Sequence, residues 1–298
     1  MRGIVVALGN FDGVHLGHQV VLRRAVEEGR RRDMKVVAAT FHPHPRAVLG
    51  AGDPPKLLTP LELRSEMLFR YGADEVWVIP FDAALSRKSP EQFVRDVLVD
   101  EGGAGVVVVG ENFRFGHKAA GDFEDLLKLM REAGGTAVGV QVRGAGMEGE
   151  ISSTRIRALV CGGDVTEAAG LLGRPYLLRG EVVVGDKRGR SIGFPTANVL
   201  PDVDAVIPAR GVYAGFVRLG EEEHAACTNV GVAPTFGRAE SRVEAYLLDF
   251  EGDLYGRVVD VSFTKHIREE RRFSGIDELK EQIRRDVDEA RVVAKDLG

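Results

Sequence analysis

The chain has 298 residues, 44% of them hydrophobic and 29% charged, enough apolar material for packed cores and too much for a disordered chain. Forty basic against 45 acidic residues give a net charge of -5, without the basic excess expected of a nucleic-acid or membrane-surface protein. Length points to two domains, and the two cysteines, Cys161 and Cys227, have no metal spacing and form no disulfide framework.

In chain order, short β-rich runs fall at Ile4–Leu8, Val36–Thr40, Glu75–Ile79, Val106–Val109 and Thr136–Val142. Helical periodicity fills the gaps, near Gly17–Arg31, Pro60–Tyr71, Pro90–Glu101 and Asp122–Ala133. Alternating strand and helix with unbroken apolar strands predicts an α/β, Rossmann-like domain whose parallel sheet is covered on both faces. Its ligands should lie at the carboxyl ends of the strands. Two short helices follow, Ser153–Cys161 and Val165–Leu172. From Leu177 the pattern becomes strands without intervening helices: Leu177–Val184, Val212–Leu219, Ala225–Val230, Val243–Phe250 and Arg257–Thr264. That predicts an antiparallel β-barrel. A terminal helix carries Ile276, Leu279, Ile283, Val287 and Ala290 on one face, with Ser274 and Asp277 as its start signal. We therefore expect domains at 1–172 and 173–298. The chain opens on a strand-like run and contains no apolar stretch near 18 residues, so a cytoplasmic protein without a membrane span is expected.

The loop after the first strand reads Gly9-Asn10-Phe11-Asp12-Gly13-Val14-His15-Leu16-Gly17-His18. A glycine-rich turn into a helix N-terminus offers unpaired amides to an anion. Three-residue spacing puts His15 and His18 on one helical face, and Gly17 lets a phosphate approach the backbone. Singly, such histidines are ordinary structural residues. Downstream, Ile151-Ser152-Ser153-Thr154-Arg155-Ile156-Arg157 combines helix-opening hydroxyls with two arginines, a helix cap or a second phosphate clamp. Phe41-His42-Pro43-His44-Pro45 and Gly110-Glu111-Asn112-Phe113-Arg114-Phe115-Gly116 follow the second and fourth strands.

These four segments resemble the nucleotidylyltransferase superfamily and, within it, the FMN adenylyltransferase module of the prokaryotic bifunctional riboflavin kinase/FMN adenylyltransferase (FAD synthetase) family. The resemblance implies transfer of AMP from ATP to FMN with release of pyrophosphate. It assigns ATP to Gly9, Asn10, Phe11, His15, Gly17 and His18, and the leaving pyrophosphate to Ser153, Thr154, Arg155 and Arg157. His44 and Asn112 would lie along the flavin cleft. Many members carry Asp where this chain has Asn112. The family also usually has a short leader before the first strand.

The second half opens on Gly185-Asp186-Lys187-Arg188-Gly189-Arg190-Ser191-Ile192-Gly193-Phe194-Pro195-Thr196-Ala197-Asn198. It is not a P-loop, and a charged hairpin turn would account for it. Its glycines and cations also suit a triphosphate. Thr196 and Asn198, two apart on an extended segment, share a face, as two oxygen ligands of one magnesium ion would need. Pro195-Thr196-Ala197-Asn198 resembles the riboflavin kinase signature, and Gly211–Gly215, Asn229–Gly237, Val243–Phe250 and Arg271-Arg272-Phe273 fall in the family's order. The resemblance implies Glu244 as base for the riboflavin hydroxyl and ATP on Gly185, Lys187, Gly189, Arg190, Thr196 and Asn198. It places magnesium on Thr196 and Asn198, and flavin near Arg271 and Phe273. Cofactors and partners would be Mg2+, ATP and the flavins riboflavin, FMN and FAD, with no nucleic acid and no membrane. Oligomeric state stays open. So do two other readings: a cytidylyltransferase-like enzyme fused to a kinase-like barrel, and a flavin-binding protein without catalysis.

Overall fold

The computed structural model describes residues 3–50, 52–141, 151–185, 189, 192–235 and 238–297, with backbone alone at 232–235, 238–241 and 297. They form two units, Met1–Ser153 and Thr154–Gly298.

Unit one is built on five parallel strands, β1 (Ile4–Leu8), β2 (Val36–His42), β3 (Glu75–Pro80), β4 (Ala104–Gly110) and β5 (Thr136–Val140). Their order is β3-β2-β1-β4-β5. Val5, Val6 and Ala7, and Val106 through Val109, are wholly buried, because helices cover both faces. The helices are α1 (Leu16–Arg32), α2 (Pro45–Leu49), α3 (Leu61–Arg70), α4 (Pro90–Gln92, widening to π-helical turns over Phe93–Glu101) and α5 (Phe123–Glu132). Asp122 opens α5 with a reciprocal capping box to Asp125. The chain leaves β1 toward β2 on one side and later returns to β4 on the other. The strand order thus reverses at the β1/β4 crevice, where ligands of such sheets bind. The sequence-derived strand to Val142 ends at Val140, and Val142 lies outside the described residues.

Unit two begins at Thr154, within α6 (Ser153–Gly162), and continues with α7 (Val165–Leu172). An antiparallel barrel follows: β6 (Tyr176–Val183), β7 (Ala197–Pro201), β8 (Gly211–Leu219), β9 (Glu222–Thr235), β10 (Arg238–Leu247) and β11 (Val258–Phe263). The order β11-β6-β7-β10-β9-β8 closes through β11–β8, with short β12 (Lys265–Arg268) added on β8. Tyr176, Tyr213 and Phe263 fill its interior, with Tyr213 and Phe263 edge-on at 5.3 Å. Both buried phenols are satisfied, Tyr176 donating to Val206 O and Tyr213 to Ala209 O, each at 2.6 Å. Closure demands bare backbone at Gly215, where a Cβ would collide with Ser262 O. The terminal helix α8 (Ile276–Leu297) lies over the outside of the barrel, Val287 and Ala290 packing on Val212, Ala214 and Cys227.

Two strands lie outside the strand runs expected from the sequence. β7, whose start at Thr196–Asn198 reads as extended, is only five residues long and ends on Pro201, yet it lies between β6 and β10. β12 reads as a polar run. Ser274 does anchor the start of α8, but its N–H and hydroxyl both donate to Glu278, at 2.9 and 2.7 Å, rather than engaging Asp277.

Candidate active sites

In unit one the β1–α1 loop is held from below. Asp12, 1% exposed, accepts from the Leu58 and Thr59 amides at 3.2 and 3.0 Å and from the Thr59 hydroxyl at 3.3 Å. That hydroxyl accepts from the Gly13 amide at 2.8 Å. The buried Arg64, from α3, reaches Asn10 O at 3.1 Å, Thr40 Oγ1 at 3.2 Å, Phe41 O at 3.4 Å and Thr59 O at 3.2 Å. One guanidinium thus ties together the ends of β1 and β2. Sequence reasoning missed Arg64, since an arginine on an amphipathic helix normally reads as a solvated residue. Phe11 and Val14 hold positive φ of 50° and 41°, strained for a β-branched valine and maintained by this scaffold.

His15 caps α1, its Nδ1 accepting from the His18 amide at 3.3 Å. A neutral ring accepting at Nδ1 carries its proton on Nε2, leaving Nε2–H as a donor. The two imidazoles stack at 3.6 Å with 15° between planes, which suits neutral rings. Burial pulls His15 down to about 4, against the opposing pull of Asp12. Burial, then the His15 and Arg64 charges, hold His18 well below its ordinary value. Near neutral pH both are uncharged hydrogen-bonding groups at a helix N-terminus whose first turn contains no acidic residue. Gly9, Asn10, Phe11 and Gly17 lie along the same loop and first turn. Ser153, the last residue of the unit, donates to Asp12 O at 2.9 Å, which ties that residue to the first loop. Thr154 is exposed, Arg157 half-buried, and Arg155 pairs with Glu167 at 2.6 Å.

A cavity of about 350 Å³ opens beside Asn10, walled by Phe41, Phe81, Phe93, Phe113 and Phe115. His44 and Asn112 are not among its lining residues. His44 instead caps α2, its Nδ1 accepting from the Arg46 amide at 3.2 Å, and Asn112 is exposed. Phe41, Phe113 and Phe115 of those same two segments supply part of the apolar wall, and Phe81 and Phe93 the rest. Their spacing was visible in the sequence, but which side chains turn inward was not.

In unit two, β10 runs beside β7 with Glu244 directly opposite Asn198. Val243 and Ala245 are wholly buried, so alternation turns Glu244 to the other face. Two cavities meet there. One of about 540 Å³ is lined by Gly189, Thr196, Asn198, Phe250 and Tyr255. The other, about 320 Å³, lies between the barrel and α8 and is lined by Gly189, Thr196, Glu244, Tyr246, Arg271 and Phe273. Thr196 and Gly189 belong to both. A Cβ on Gly185 would collide with the Asn198 side chain, and one on Gly189 with Phe194 O. These glycines keep the turn folded against the Thr196–Asn198 segment. Lys187 and Arg190 lie outside the described residues. Arg271 stacks over Phe273 at 4.8 Å and pairs with Glu278 at 3.7 Å. Sequence reasoning missed Arg268, which grips the buried Asp286 of α8 at 2.6 Å and lines the same cavity.

A family model described as FAD synthetase matches residues 1–155, and one described as riboflavin kinase matches residues 172–294. The bifunctional riboflavin kinase/FMN adenylyltransferase of Escherichia coli (strain K12) is 40% identical over 286 residues, 96% of this chain and 91% of that one. The chain belongs to the bifunctional riboflavin kinase/FMN adenylyltransferase family. The member from Bacillus subtilis (strain 168) is 39% identical over 293 residues, 96% of this chain and 91% of its own. A crystal structure described as a macrolide-efflux protein from Streptococcus pneumoniae matches with a TM-score of 0.88 and 33% identity, over 97% of this chain and 94% of that one. In this bifunctional family member, no helix among the described residues is long and apolar enough to cross a membrane.

Proposed function

We propose that the two activities of the family, riboflavin phosphorylation and FMN adenylylation, are carried separately, the first by the barrel unit and the second by the parallel-sheet unit. The chain is a riboflavin kinase and an FMN adenylyltransferase; the residue roles below are our reading of the geometry. The observation that supports it most is the register of β10 on β7, which sets Glu244 opposite Asn198 where two cavities meet at Thr196. The larger cavity would take the nucleotide and the one under α8 the flavin. Glu244 accepts the proton of the riboflavin 5′-hydroxyl as that oxygen attacks the terminal phosphorus of ATP. Arg271 and Phe273 border the ring system.

For adenylylation the FMN phosphate is itself the nucleophile, so no protein nucleophile is needed. It attacks the α-phosphorus of ATP, and pyrophosphate leaves. His15 and His18 donate hydrogen bonds where charge builds on the phosphates, already oriented by the Asp12 and Arg64 scaffold. Ser153, Thr154, Arg155 and Arg157 hold the departing pyrophosphate, which requires Arg155 to exchange Glu167 for phosphate. The phenylalanine-walled cavity takes the flavin ring, with His44 and Asn112 at its approaches.

Thr196 and Asn198 suit magnesium. Asn198 Oδ1 already faces a positive group, accepting from Arg242, and both residues offer hard oxygen donors. Among the described residues no cluster of three or more His, Cys, Asp or Glu could hold a metal, so nucleotide phosphates would complete the shell. Bound there, magnesium would share the charge of the phosphates. The substrates are small molecules, and we place the enzyme in the cytoplasm.

Chromatographic separation of flavins after incubation with riboflavin, ATP and magnesium tests the whole reading. FMN should accumulate first and FAD follow, and both should vanish without magnesium. FAD without FMN, or FMN binding without turnover, would overturn it in favour of a single-activity enzyme or a flavin-binding protein.

A further inference from the structure

Arg242 lies on β10 two residues before Glu244, so both side chains point to one face. Its Nε and Nη2 donate to Asn198 Oδ1 at 3.1 and 2.9 Å, and Nη2 also pairs with Glu244 Oε1 at 3.0 Å. The guanidinium thus spans the gap between the oxygen proposed to hold the nucleotide's cation and the carboxylate proposed to take the substrate's proton. It lines the cavity under α8 with 24% of its side chain exposed, so a ligand can reach it. In the reaction above, the phosphoryl group must cross this same gap.

We infer that Arg242 is a further catalytic residue of the kinase unit, its guanidinium passing from Asn198 to the phosphoryl group in transit. This rests on the roles proposed for Asn198 and Glu244. With a cation bound at Asn198 Oδ1 the guanidinium would leave that oxygen, and the phosphoryl oxygens, spreading negative charge in the transition state, would be acceptors next to it. Its contact with Glu244 keeps it on the riboflavin side. The riboflavin oxygen bonds to phosphorus as its proton passes to Glu244. The bond from phosphorus to the bridging oxygen breaks, and its electron pair leaves with ADP. Arg242 neither gains nor loses a proton; it only neutralises charge. Because its hydrogen bonds to Asn198 would be given up when the nucleotide's cation binds there, removing it should not weaken ground-state binding.

The test uses the full chain, with Arg242→Ala and, as a variant of similar length without charge, Arg242→Gln. Riboflavin phosphorylation is followed alongside calorimetric binding of ADP with magnesium. Both variants should lose about 10²–10³ in kcat, the loss expected for one preorganised donor. KM for riboflavin should move less than about threefold, and magnesium–ADP should bind as tightly as to the wild type or more tightly. A wild-type kcat in either folded variant overturns the inference. So does a loss confined to magnesium–ADP affinity, which would make Arg242 a ground-state anchor. A wild-type chain that fails to phosphorylate riboflavin would instead overturn the underlying kinase reading.

Discussion

His15 and His18 owe their chemistry to where they are held. In water an imidazole is half-protonated near pH 6.5; in this loop burial brings His15 to about 4 and keeps His18 neutral too. His15→Ala should therefore slow adenylylation of FMN by about 10²–10³, as for a lost oxyanion donor, while riboflavin phosphorylation by the same chain persists. Loss of both activities in that variant would reveal a folding role instead. The same burial has a pH consequence. Between pH 6.5 and about 4 the unfolded chain binds a proton at His15 that the folded chain does not, so stability falls as pH drops through that window and is complete above it. Thermal melting at pH 7 and pH 5 should show this decline, and His15→Gln should lessen it, His18 contributing the remainder. Glu244 is the counterpart in the kinase unit. Glu244→Gln keeps its shape but removes its basicity, so FMN formation should slow by about 10²–10⁴. The KM for ATP and the conversion of supplied FMN to FAD should hardly change. FMN formation at the wild-type rate would take Glu244 out of the mechanism.

Among elements, β11 decides whether the second unit exists as a barrel. Asp260, 5% exposed, faces Arg179 of β6 on one side and Arg218 of β8 on the other, both its register partners. Arg179 binds it through two nitrogens, at 2.6 and 3.0 Å, and Arg218 through a third. Burial pushes the Asp260 carboxyl up, but hydrogen bonds from both arginines outweigh it and hold the carboxyl below the ordinary carboxylate value. Its contribution is therefore present above the unfolded value of about 3.9 and is lost as pH falls through the lower folded one. Asp260→Ala removes the buried carboxylate shared by two half-buried arginines and should cost about 3–5 kcal/mol. Chemical denaturation would report it as an early transition of the barrel alone. Gly215→Ala attacks the same seam sterically. It should abolish riboflavin phosphorylation while the parallel-sheet unit still makes FAD from FMN.

On the scale of the whole molecule, α6 and α7 bear on where the chain can be cut. Within the second unit, the Ala209 amide donates to Val160 O at 3.2 Å and the Thr166 hydroxyl to Thr264 O at 3.3 Å, while Val160, Val165 and Leu171 are wholly buried. A fragment of residues 154–298 should therefore melt higher than one of residues 173–298, and both should phosphorylate riboflavin when folded. The complementary fragment 1–172 retains the run Ser153–Arg157 and should make FAD from FMN, whereas a fragment ending at 153 should not. Equal melting of the two C-terminal fragments would show that these helices add nothing to the barrel.

What could be read along the chain was whatever is written locally. The strand–helix alternation, the later change to strands alone, the His15–His18 spacing and the Pro195–Asn198 run depend on periodicity and residue chemistry within a few positions, so the fold class, a parallel α/β sheet followed by an antiparallel barrel, was legible. The start of the terminal helix at Ser274 followed too, although its partner is Glu278 and not Asp277. The place of β7 in the sheet was not legible, because it comes from ladders to β6 and β10 rather than from the strand's own composition. Nor was the turning inward of five phenylalanines beside Asn10, or the reach of Arg64 across three segments. Sequence by itself determined which chemical groups this protein has and in what order. Only the tertiary structure decided which of them meet, as Glu244 meets Asn198 across 45 intervening positions of chain, because register and burial are set by pairing with distant strands.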